Sequence, residues 1–269
     1  MLRPKIRISS SIANFKDKLL KRTGLSEWHW NLFTPTIFVG MYHIGDYVRV
    51  ILHMGPKKIF WTGSDILALT PLWASLLDGG KQYCENEVER ARLYAYGIDA
   101  EICPMIFTEF KSEDAFMPVK NYTHVYLATH KDRLEEYGID RLYFIADKCN
   151  NLVFHVYGAE FPPYIHQKNI IFHGQVTEEQ FNREIRNYHA AIRLNKFDGF
   201  SETVAKSILL GQYPITRIKY PGIDSFETEE ELVILLKKLR HKKEPNPERI
   251  VWWARLEANL NKLIGDWYI

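Results

Sequence analysis

The feature that most constrains this chain is a repeating alternation of short apolar runs and helix-like segments. Short apolar runs occupy residues 36–39, 57–61 and 152–156, and each gives way to a turn that contains glycine or polar residues. Apolar residues at helical spacing then follow. Runs of this kind are typical of parallel strands that are buried on both faces. The alternation predicts an α/β fold, in which parallel sheets carry helices on their faces.

One segment, residues 190–215, shows this alternation clearly. Residues 190–194 predict a buried strand that ends in a polar, glycine-containing turn. Ser201 is suited to cap the helix that follows, and Gly211 suits the left-handed position that ends it. In an open α/β sheet, ligands bind where helices begin beyond the carboxyl ends of strands, and free N–H groups there favour an anion. The segment predicts a binding turn, with an ordinary structural unit as the alternative.

The residues of this segment, DGFSETVAKSILLGQYPI, resemble the donor-site segment of retaining glycosyltransferases of family 4. In that family an acidic residue, a glycine, an aromatic or small residue, and a glycine or serine precede a helix. Those positions hold Asp198, Gly199, Phe200 and Ser201 here, and Gly211 matches a later glycine. The resemblance implies the GT-B fold, with two Rossmann-like domains that have parallel sheets and helices on both faces.

The resemblance also implies roles for individual side chains. Asp198 would be a catalytic carboxylate close to the transferred sugar, with Gly199 beside it. The diphosphate of the donor would lie at the start of the helix, held by backbone N–H groups and hydroxyls. The donor-binding candidates in this segment are Gly199, Phe200, Ser201, Glu202, Thr203 and Lys206.

Lys206 departs from the family pattern. It stands where the family has a second glutamate, which usually holds ribose hydroxyls, and a lysine cannot accept a hydrogen bond. Donor recognition would then be rewired or lost. A plainer interpretation is a solvated pair with Glu202, which lies one helical turn earlier on the same face.

Residues 37–67 and 83–104 resemble, more loosely, the acceptor-side domain of the same family. There, a His or Asp at a strand end faces the cleft. His43 and Asp65 lie where predicted strands give way to loops, so both are candidate catalytic residues, with capping or turn roles as the alternative. This half looks short for a full Rossmann-like domain, so we expect some of the strands of such a domain to be missing from it.

Further donor-binding candidates follow predicted strands in the second half. In the family, one loop supplies an Arg and a Lys that clamp the diphosphate. By location, Lys131 and Arg133 are the candidates here, in a polar turn at residues 129–133 that opens a helix predicted to run to about residue 148. A solvated helix start is the alternative. Gly158 ends a strand, and the loop with Gly174 and Val176 resembles the family loop in which backbone groups read the base.

These assignments predict three parts of the chain. Residues 1–118 would form a short acceptor-side domain with the linker, which we place at residues 107–121. Residues 119–245 would form the nucleotide-sugar-binding domain. Residues 246–269 would form a C-terminal helix that packs back on the first domain, with ordinary packing within the second domain as the alternative.

Composition argues against several classes of function. The net charge of the 269 residues is +2, and the basic residues form no continuous stripe with aromatics, which argues against a dedicated nucleic-acid binder. The three cysteines lack metal-ligand spacing, and no apolar run is long enough to cross a bilayer. We therefore expect a cytoplasmic protein without a metal or a cofactor, the nucleotide-sugar being its substrate.

The N-terminal segment raises the question of membrane contact. Residues 3–22 are rich in Lys and Arg, and an apolar stripe is formed by Ile12, Phe15, Leu19 and Leu20. A basic amphipathic helix can lie on anionic lipid, which would place the protein on the cytoplasmic face of a membrane. The alternative, which we favour, is an ordinary helix whose apolar face is turned to the core.

The function that these patterns predict is metal-independent, retaining glycosyl transfer from a nucleotide-sugar to a hydroxyl of a glycan, lipid or protein. Two other classes stay open. Lys206 and the unclear Arg–Lys spacing favour a non-catalytic partner or scaffold protein of the same fold. A nucleotide-sugar epimerase or hydrolase of that fold would use the same donor.

Overall fold

A computed structural model describes residues 3–77, 79–110, 116, 118, 122–130, 132–160, 167–265 and 267. Within them the chain forms twelve strands and nine α-helices. The strands are β1 (Lys5–Ile8), β2 (Ser26–Glu27), β3 (Thr36–Val39), β4 (Lys57–Phe60), β5 (Lys81–Cys84), β6 (Ala100–Ile102), β7 (Thr123–Ala128), β8 (Leu152–Tyr157), β9 (Ile170–Gly174), β10 (Ala190–Arg193), β11 (Ile215–Thr216) and β12 (Asp224–Ser225). The helices are α1 (Lys16–Thr23), α2 (Ile44–Leu52), α3 (Pro71–Leu76), α4 (Glu87–Tyr94), α5 (Ile139–Lys148), α6 (Glu178–Glu184), α7 (Glu202–Leu209), α8 (Glu229–Leu239) and α9 (Glu248–Ile264).

The chain divides into two compact units, and each draws on separate stretches of sequence. Unit 1 consists of Met1–Glu109, Phe197–Phe200 and Ala254–Ile269. Unit 2 consists of Phe110–Lys196 and Ser201–Trp253. The domain boundaries at residues 118 and 245 stay predictions.

The sheet of unit 1 has six parallel strands in the order β2-β1-β3-β4-β5-β6. Because side chains alternate along a strand, its two faces have separate apolar layers. One layer joins Ile37 and Val39 to α1 and to the end of α9, and the other joins Phe38 to α2, α3 and α4. Helices therefore cover both faces of this sheet, as the sequence predicts.

Two strands of unit 1 escape recognition in the sequence. β1 reads KIRI, so charged side chains alternate with Ile6 and Ile8, and β2 has only two residues. The pattern of β1 is half buried, whereas β3 is buried at every position. With β1 and β2 in place, the first half of the chain supplies a six-stranded sheet, so the expectation that strands are missing from this half is wrong.

The apolar stripe of the N-terminal segment faces the protein core. Leu19 of α1 is fully buried, and Ile12, Phe15 and Leu20 pack against the same cluster. That stripe is therefore used in packing and is not available to a lipid surface. The alternative of a core-facing helix is confirmed.

The sheet of unit 2 also has six parallel strands, in the order β12-β11-β10-β7-β8-β9. Helices α5 and α8 pack on one face, in a core that contains Val125 and Phe154. On the other face, Phe181 of α6 packs edge-on against Tyr126 and Tyr157. The fold is thus α/β, with two Rossmann-like sheets that carry helices on both faces.

Two predictions of local structure need correction or fall outside the described residues. The helix predicted to open from the turn at residues 129–133 begins only at Ile139, because Gly138 before it is left-handed (φ 74°). The predicted linker is described only in part, since residues 111–115, 117 and 119–121 lie outside the described residues. Over the described residues, we find no helix with both the length and the apolar character needed to cross a membrane.

Candidate functional site

The start of α7 has the capped form that the sequence predicts. The Oγ atom of Ser201 accepts a hydrogen bond from the N–H of Thr203 at 3.3 Å. Glu202 is the first helical residue, and Gly211, with φ 76°, follows the end of the helix. The turn before the helix and the helix itself belong to different units, since Phe197–Phe200 is part of unit 1 and Ser201 begins the second stretch of unit 2.

Side chains of unit 1 hold the turn that contains Asp198. The carboxylate of Glu85 accepts a hydrogen bond from the N–H of Phe200 at 3.0 Å. Asn86 donates from Nδ2 to the carbonyl oxygen of Asp198 at 2.9 Å. A side chain on Gly199 would overlap with the carboxylate of Glu85, so the fit requires glycine at this position. The backbone from the Asp198 carbonyl group to Phe200, which directly follows the Asp198 side chain, is thereby fixed.

Glu85, which holds this turn, is one of three buried carboxyl groups in this part of unit 1, and the others are Glu89 and Asp65. Glu89 accepts from the N–H of Glu85 at 2.7 Å and from Nδ2 of Asn86 at 3.1 Å. Asp65 accepts from the N–H groups of Met41 and Thr62 at 2.9–3.1 Å. Burial raises the pKa of Asp65 to about 7. Burial, with repulsion between neighbouring carboxylates, also raises the pKa of Glu85 and of Glu89 well above the ordinary value.

Glu85 and Glu89 are functional candidates that the sequence analysis missed. Glu85 directly follows β5, so it lies at the carboxyl end of a parallel strand, where α/β proteins place their sites. Asn86 caps α4, since its side chain accepts from the N–H of Glu89. The signal was therefore present as an acidic residue at a strand end, next to a cap.

The two acceptor-side candidates occupy different environments. Asp65 is completely buried, and the bonds from Met41 and Thr62 show that it ties together the turns after β3 and β4. Its charge lies close enough to Glu85 to raise the pKa of that group, as does the charge of Asp198. His43 is exposed, precedes α2, and its Nε2 lies 2.7 Å from Oγ of Ser11.

In unit 2, the ends of β7, β8 and β9 bring two predicted glycines together. The N–H of Gly158 donates to the carbonyl oxygen of Gly174 at 2.7 Å, and the N–H of Gly174 donates to Ala159 at 3.2 Å. Gly158 also packs so closely on Thr129 that a side chain there would overlap with the Thr129 carbonyl. Val176 is partly buried and lies just before the N-cap of α6.

Of the predicted Arg–Lys clamp, only one member can be described. Lys131 lies outside the described residues. Arg133 is exposed in a turn before α5, and its Nε donates to the carboxylate of Glu136 at 2.8 Å. Arg133 is thus paired with a neighbour in its own exposed turn.

Lys206 is not on a solvated helix face. Its Nζ donates to Oε1 of Glu178 at 3.1 Å and to Oδ1 of Asn182 at 2.9 Å, both on α6. The ammonium also lies 5.7 Å from the ring centroids of Phe110 and Phe181. The interpretation as a solvated pair with Glu202 is wrong, because all residues of α7 from Thr203 onward are buried. Lys206 fixes α7 against α6.

A chain of imidazoles crosses three neighbouring strands of unit 2. Nδ1 of His124 lies 2.8 Å from Nε2 of His155, and Nδ1 of His155 lies 2.8 Å from Nε2 of His173. The ring of Tyr188 stacks on His155 with centroids 4.3 Å apart. Burial lowers the pKa of His155 to about 3, and that of His189, which accepts from the N–H of His124, to about 4. The sequence analysis missed this cluster, whose signal was a histidine in each of three adjacent strands.

Comparisons with known proteins place the fold. No family model matches the chain, and a search of curated proteins finds no match. The galactosyltransferase WaaB of the lipopolysaccharide outer core is 13% identical, with a TM-score of 0.62, and the match covers 95% of this chain and 81% of WaaB. The pneumococcal O-GlcNAc transferase GtfA is 12% identical, with a TM-score of 0.53 and coverages of 85% and 55%. TarM is 12% identical, with a TM-score of 0.55 and coverages of 86% and 51%.

These likenesses show the fold alone. The chain has a GT-B-like architecture, in agreement with the sequence-based expectation. It spans about half the length of TarM and of GtfA. Over the described residues, no group of three or more His, Cys, Asp and Glu side chains is arranged to hold a metal ion.

The buried carboxyl groups of unit 1 and the buried histidines of unit 2 predict that the stabilities of the two units change with pH in opposite directions. Unfolded Asp65 loses its proton near pH 3.8, whereas folded Asp65 keeps it to about pH 7. In that window the free energy of unfolding of unit 1 falls as pH rises, by up to about 1.4 kcal/mol per pH unit for each such group. Unfolded His155 binds a proton near pH 6.5, whereas the folded residue stays neutral to about pH 3. Unit 2 therefore loses stability as pH falls below 6.5.

The buried cysteines allow each unit to be followed separately. Cys84 lies in unit 1 and Cys149 in unit 2, and both are buried free thiols. The protein is exposed to a short alkylation pulse at increasing urea concentrations, and the alkylation of each thiol is measured by mass spectrometry. Normalised to the alkylation of the unfolded chain at each pH, the data give a urea midpoint of unfolding for each thiol. We expect the Cys84 midpoint to fall and the Cys149 midpoint to rise from pH 5 to pH 7. Glu85→Gln should flatten the first trend only, and midpoints that move together would contradict the assignment.

Proposed function

We propose that this protein transfers a sugar from a nucleotide-sugar donor to a hydroxyl group of an acceptor. The observation that carries the proposal is the fixed turn around Asp198, followed at once by the capped start of α7, on a GT-B-like fold. The structure of GtfA is a complex with UDP and GlcNAc, which supports a donor of this class. The family resemblance of residues 198–211 adds that the donor would bind at this segment.

The donor diphosphate would bind at the start of α7. Backbone N–H groups in the first turn of a helix are without helical partners and favour an anion. The hydroxyls of Ser201 and Thr203 stand at that turn, and Ser201 already accepts from the Thr203 N–H. The base would lie at the loops that contain Gly158, Gly174 and Val176, as the resemblance implies.

In the reaction, the bond from the anomeric carbon to the diphosphate breaks and a bond to the acceptor oxygen forms, with release of the acceptor's proton. The transition state has oxocarbenium character, and negative charge grows on the departing diphosphate. Preorganised N–H donors at the start of α7 would stabilise that charge without reorganisation. Asp198 would stabilise the sugar side, in a reaction that keeps the anomeric configuration and that uses no metal ion.

Lys206 favours one alternative, a non-catalytic protein of the same fold. Its ammonium is bonded to Glu178 and Asn182. Because a lysine cannot accept a hydrogen bond, this position lacks the carboxylate that holds ribose in the family. If the protein is a transferase, other groups must hold the ribose. If it is a partner or scaffold protein, nucleotide-sugars should not bind.

Donor binding separates these functions. We would measure the melting temperature of the full chain with UDP-, GDP-, ADP- and dTDP-sugars, because a ligand of the native state raises it by mass action. A shift with one nucleotide that Ser201→Ala weakens would support the donor site and identify the base. The absence of a shift with every donor would favour the non-catalytic protein. Product analysis without an acceptor would reveal an epimerase or a hydrolase.

Asp198→Asn is expected to reduce transfer by roughly 100-fold or more, the effect typical of removing a group that stabilises transition-state charge. In the unaltered protein the carboxylate of Asp198 accepts a hydrogen bond from the N–H of Gly199 at 3.1 Å. The amide oxygen of the variant can accept the same bond, so the fold should remain. Initial rates with the nucleotide-sugar that binds would give the loss, and melting temperatures would confirm the fold. Asp224→Asn, in the exposed strand β12, is the matched control and should retain full activity.

A further inference from the structure

Unit 1 carries a group of exposed apolar side chains along α2 and the loop before β3. On α2, Ile44, Val48 and Leu52 are exposed, and their spacing of four residues puts them on one face. Trp30, Phe33 and Met54 are exposed by 61%, 62% and 73%. We call these six residues the α2 patch. Monomeric soluble proteins rarely expose so many large apolar side chains together, and such patches mark interaction sites.

Contacts within unit 1 show that the members of the α2 patch are neighbours. The ring of Trp30 lies 5.3 Å from the guanidinium of Arg49, which follows Val48 in α2. The N–H of Met54 donates to the carbonyl oxygen of Leu32 at 2.9 Å, so the loop before β3 lies against the end of α2. The loop and the helix therefore present one continuous surface.

Helix α2 is apolar on both of its faces. Tyr47 and Val50 pack into the core, while Ile44, Val48 and Leu52 point outward. A surface helix normally has a polar outer face, so the apolar side chains on the outer side of α2 favour a second apolar environment there. The outer surface is the convex face of a helix flanked by Trp30, and aromatic side chains of this kind are enriched at membrane–water interfaces.

The charges around the α2 patch are basic. Between residues 28 and 77 the acidic residues are Asp46 and Asp65, and both are buried. Arg49 lies beside Trp30 and 3.7 Å from the carboxylate of Asp46. Lys57, whose Nζ also donates to backbone carbonyl oxygens of Val50 and His53, and Lys81 line an open hollow of about 590 Å³ next to Met54. Cationic side chains beside an apolar face are attracted to anionic headgroups, by about 1 kcal/mol each. An apolar convex face with a basic rim matches an anionic lipid surface in both respects.

We propose that the α2 patch docks unit 1 on the surface of an anionic membrane. The apolar side chains of α2 would lie at the boundary between headgroups and acyl chains, with Arg49, Lys57 and Lys81 at the headgroups. This surface is distinct from the basic N-terminal segment, whose apolar stripe packs into the core. The inference goes beyond the proposed transfer reaction, since vesicle binding needs neither donor nor acceptor, and either proposal can fail without the other.

The test is co-sedimentation of the full chain with vesicles of phosphatidylcholine alone or mixed with phosphatidylglycerol. We expect binding to the mixed vesicles that weakens as salt is added. Val48→Ser with Leu52→Ser should lower the partition coefficient about tenfold or more, because two aliphatic groups no longer enter the membrane. Ile234→Ser with Ile250→Ser is the matched control, since both residues are exposed apolar positions of unit 2, and it should bind like the unaltered protein.

If the helix variant fails to fold, Trp30→Ser with Phe33→Ser provides a second variant outside the helix. It should lose vesicle binding in the same way. Absence of binding to mixed vesicles by the unaltered chain would overturn the proposal. Equal binding by a folded patch variant would also overturn it. A dimer, measured by light scattering, that the patch variants convert to a monomer without any vesicle binding would assign the surface to a second copy of the chain instead.

Discussion

Replacing Lys206 with glutamate is expected to lower the free energy of unfolding by roughly 3–5 kcal/mol, the range for breaking a buried ion pair from one side. The Nζ of Lys206 is bonded to Glu178 and Asn182, and the lysine side chain is 5% exposed whereas that of Glu178 is 39% exposed. A carboxylate there would face the carboxylate of Glu178 without a positive partner, and the two ring contacts of the ammonium would be lost. Urea unfolding followed by alkylation of Cys149 would measure the loss.

The partner variant tests whether the effect arises from this pair. Lys206→Glu combined with Glu178→Lys restores opposite charges, so the double variant should recover part of the lost stability, which a double-mutant cycle would quantify. Lys238→Glu, on the exposed side of α8, is the matched charge reversal and should cost less than about 1 kcal/mol. A Lys206→Glu protein as stable as the Lys238→Glu protein would show that the buried pair contributes nothing.

Gly158→Ala is the second change with a large expected effect, a loss of roughly 2–5 kcal/mol from left-handed strain plus a forced backbone shift. Gly158 has φ 88°, and a methyl group on it would overlap with the carbonyl of Thr129, which is backbone and cannot rotate away. The shift would disturb the bond from Gly158 to Gly174 and with it the ends of β8 and β9. The Cys149 midpoint in urea would report the loss.

Gly97→Ala separates the two causes. Gly97 is also left-handed, with φ 79°, but nothing lies within 4 Å of a methyl group added there. It should therefore show the cost of the backbone conformation alone, about 1–2 kcal/mol. That cost would be read from the Cys84 midpoint, because Gly97 belongs to unit 1. Equal losses for the two variants would mean that the loops around Gly158 adjust freely.

The parts of the fold that the sequence predicts well are those in which pattern and burial coincide. β3 and β10 are buried along nearly their whole length, so their apolar runs are continuous. The capping box of Thr228 and Glu231 and the buried face of Trp252 and Leu256 on α9 likewise depend on residues that are close together in the sequence. β1 is missed because its alternation leaves Lys5 and Arg7 partly exposed, and α5 begins late because a glycine rather than a polar cap precedes it.

The candidate site is harder to predict because it depends on contacts between distant positions. Asp198 and the Ser201 cap follow from neighbouring residues. The anchoring of that turn by Glu85 and Asn86 joins positions more than one hundred residues apart, as the separations of 115 and 112 show. The partner of Lys206 was wrongly predicted for the same reason. Local spacing suggests Glu202, whereas the hydrogen bonds of Lys206 are to residues of α6.

The arrangement of Lys58 has a consequence for synthesis on the ribosome. Lys58 lies in β4 and is buried, and its Nζ donates to the carbonyl oxygens of Lys262 and Leu263 at 2.9 Å. These acceptors are translated about two hundred residues later, as the separations of 204 and 205 show. Until they emerge, the ammonium of Lys58 lacks these partners, and burying it alone would be costly. The unit that emerges first is thus completed last, after the whole of unit 2 has been translated.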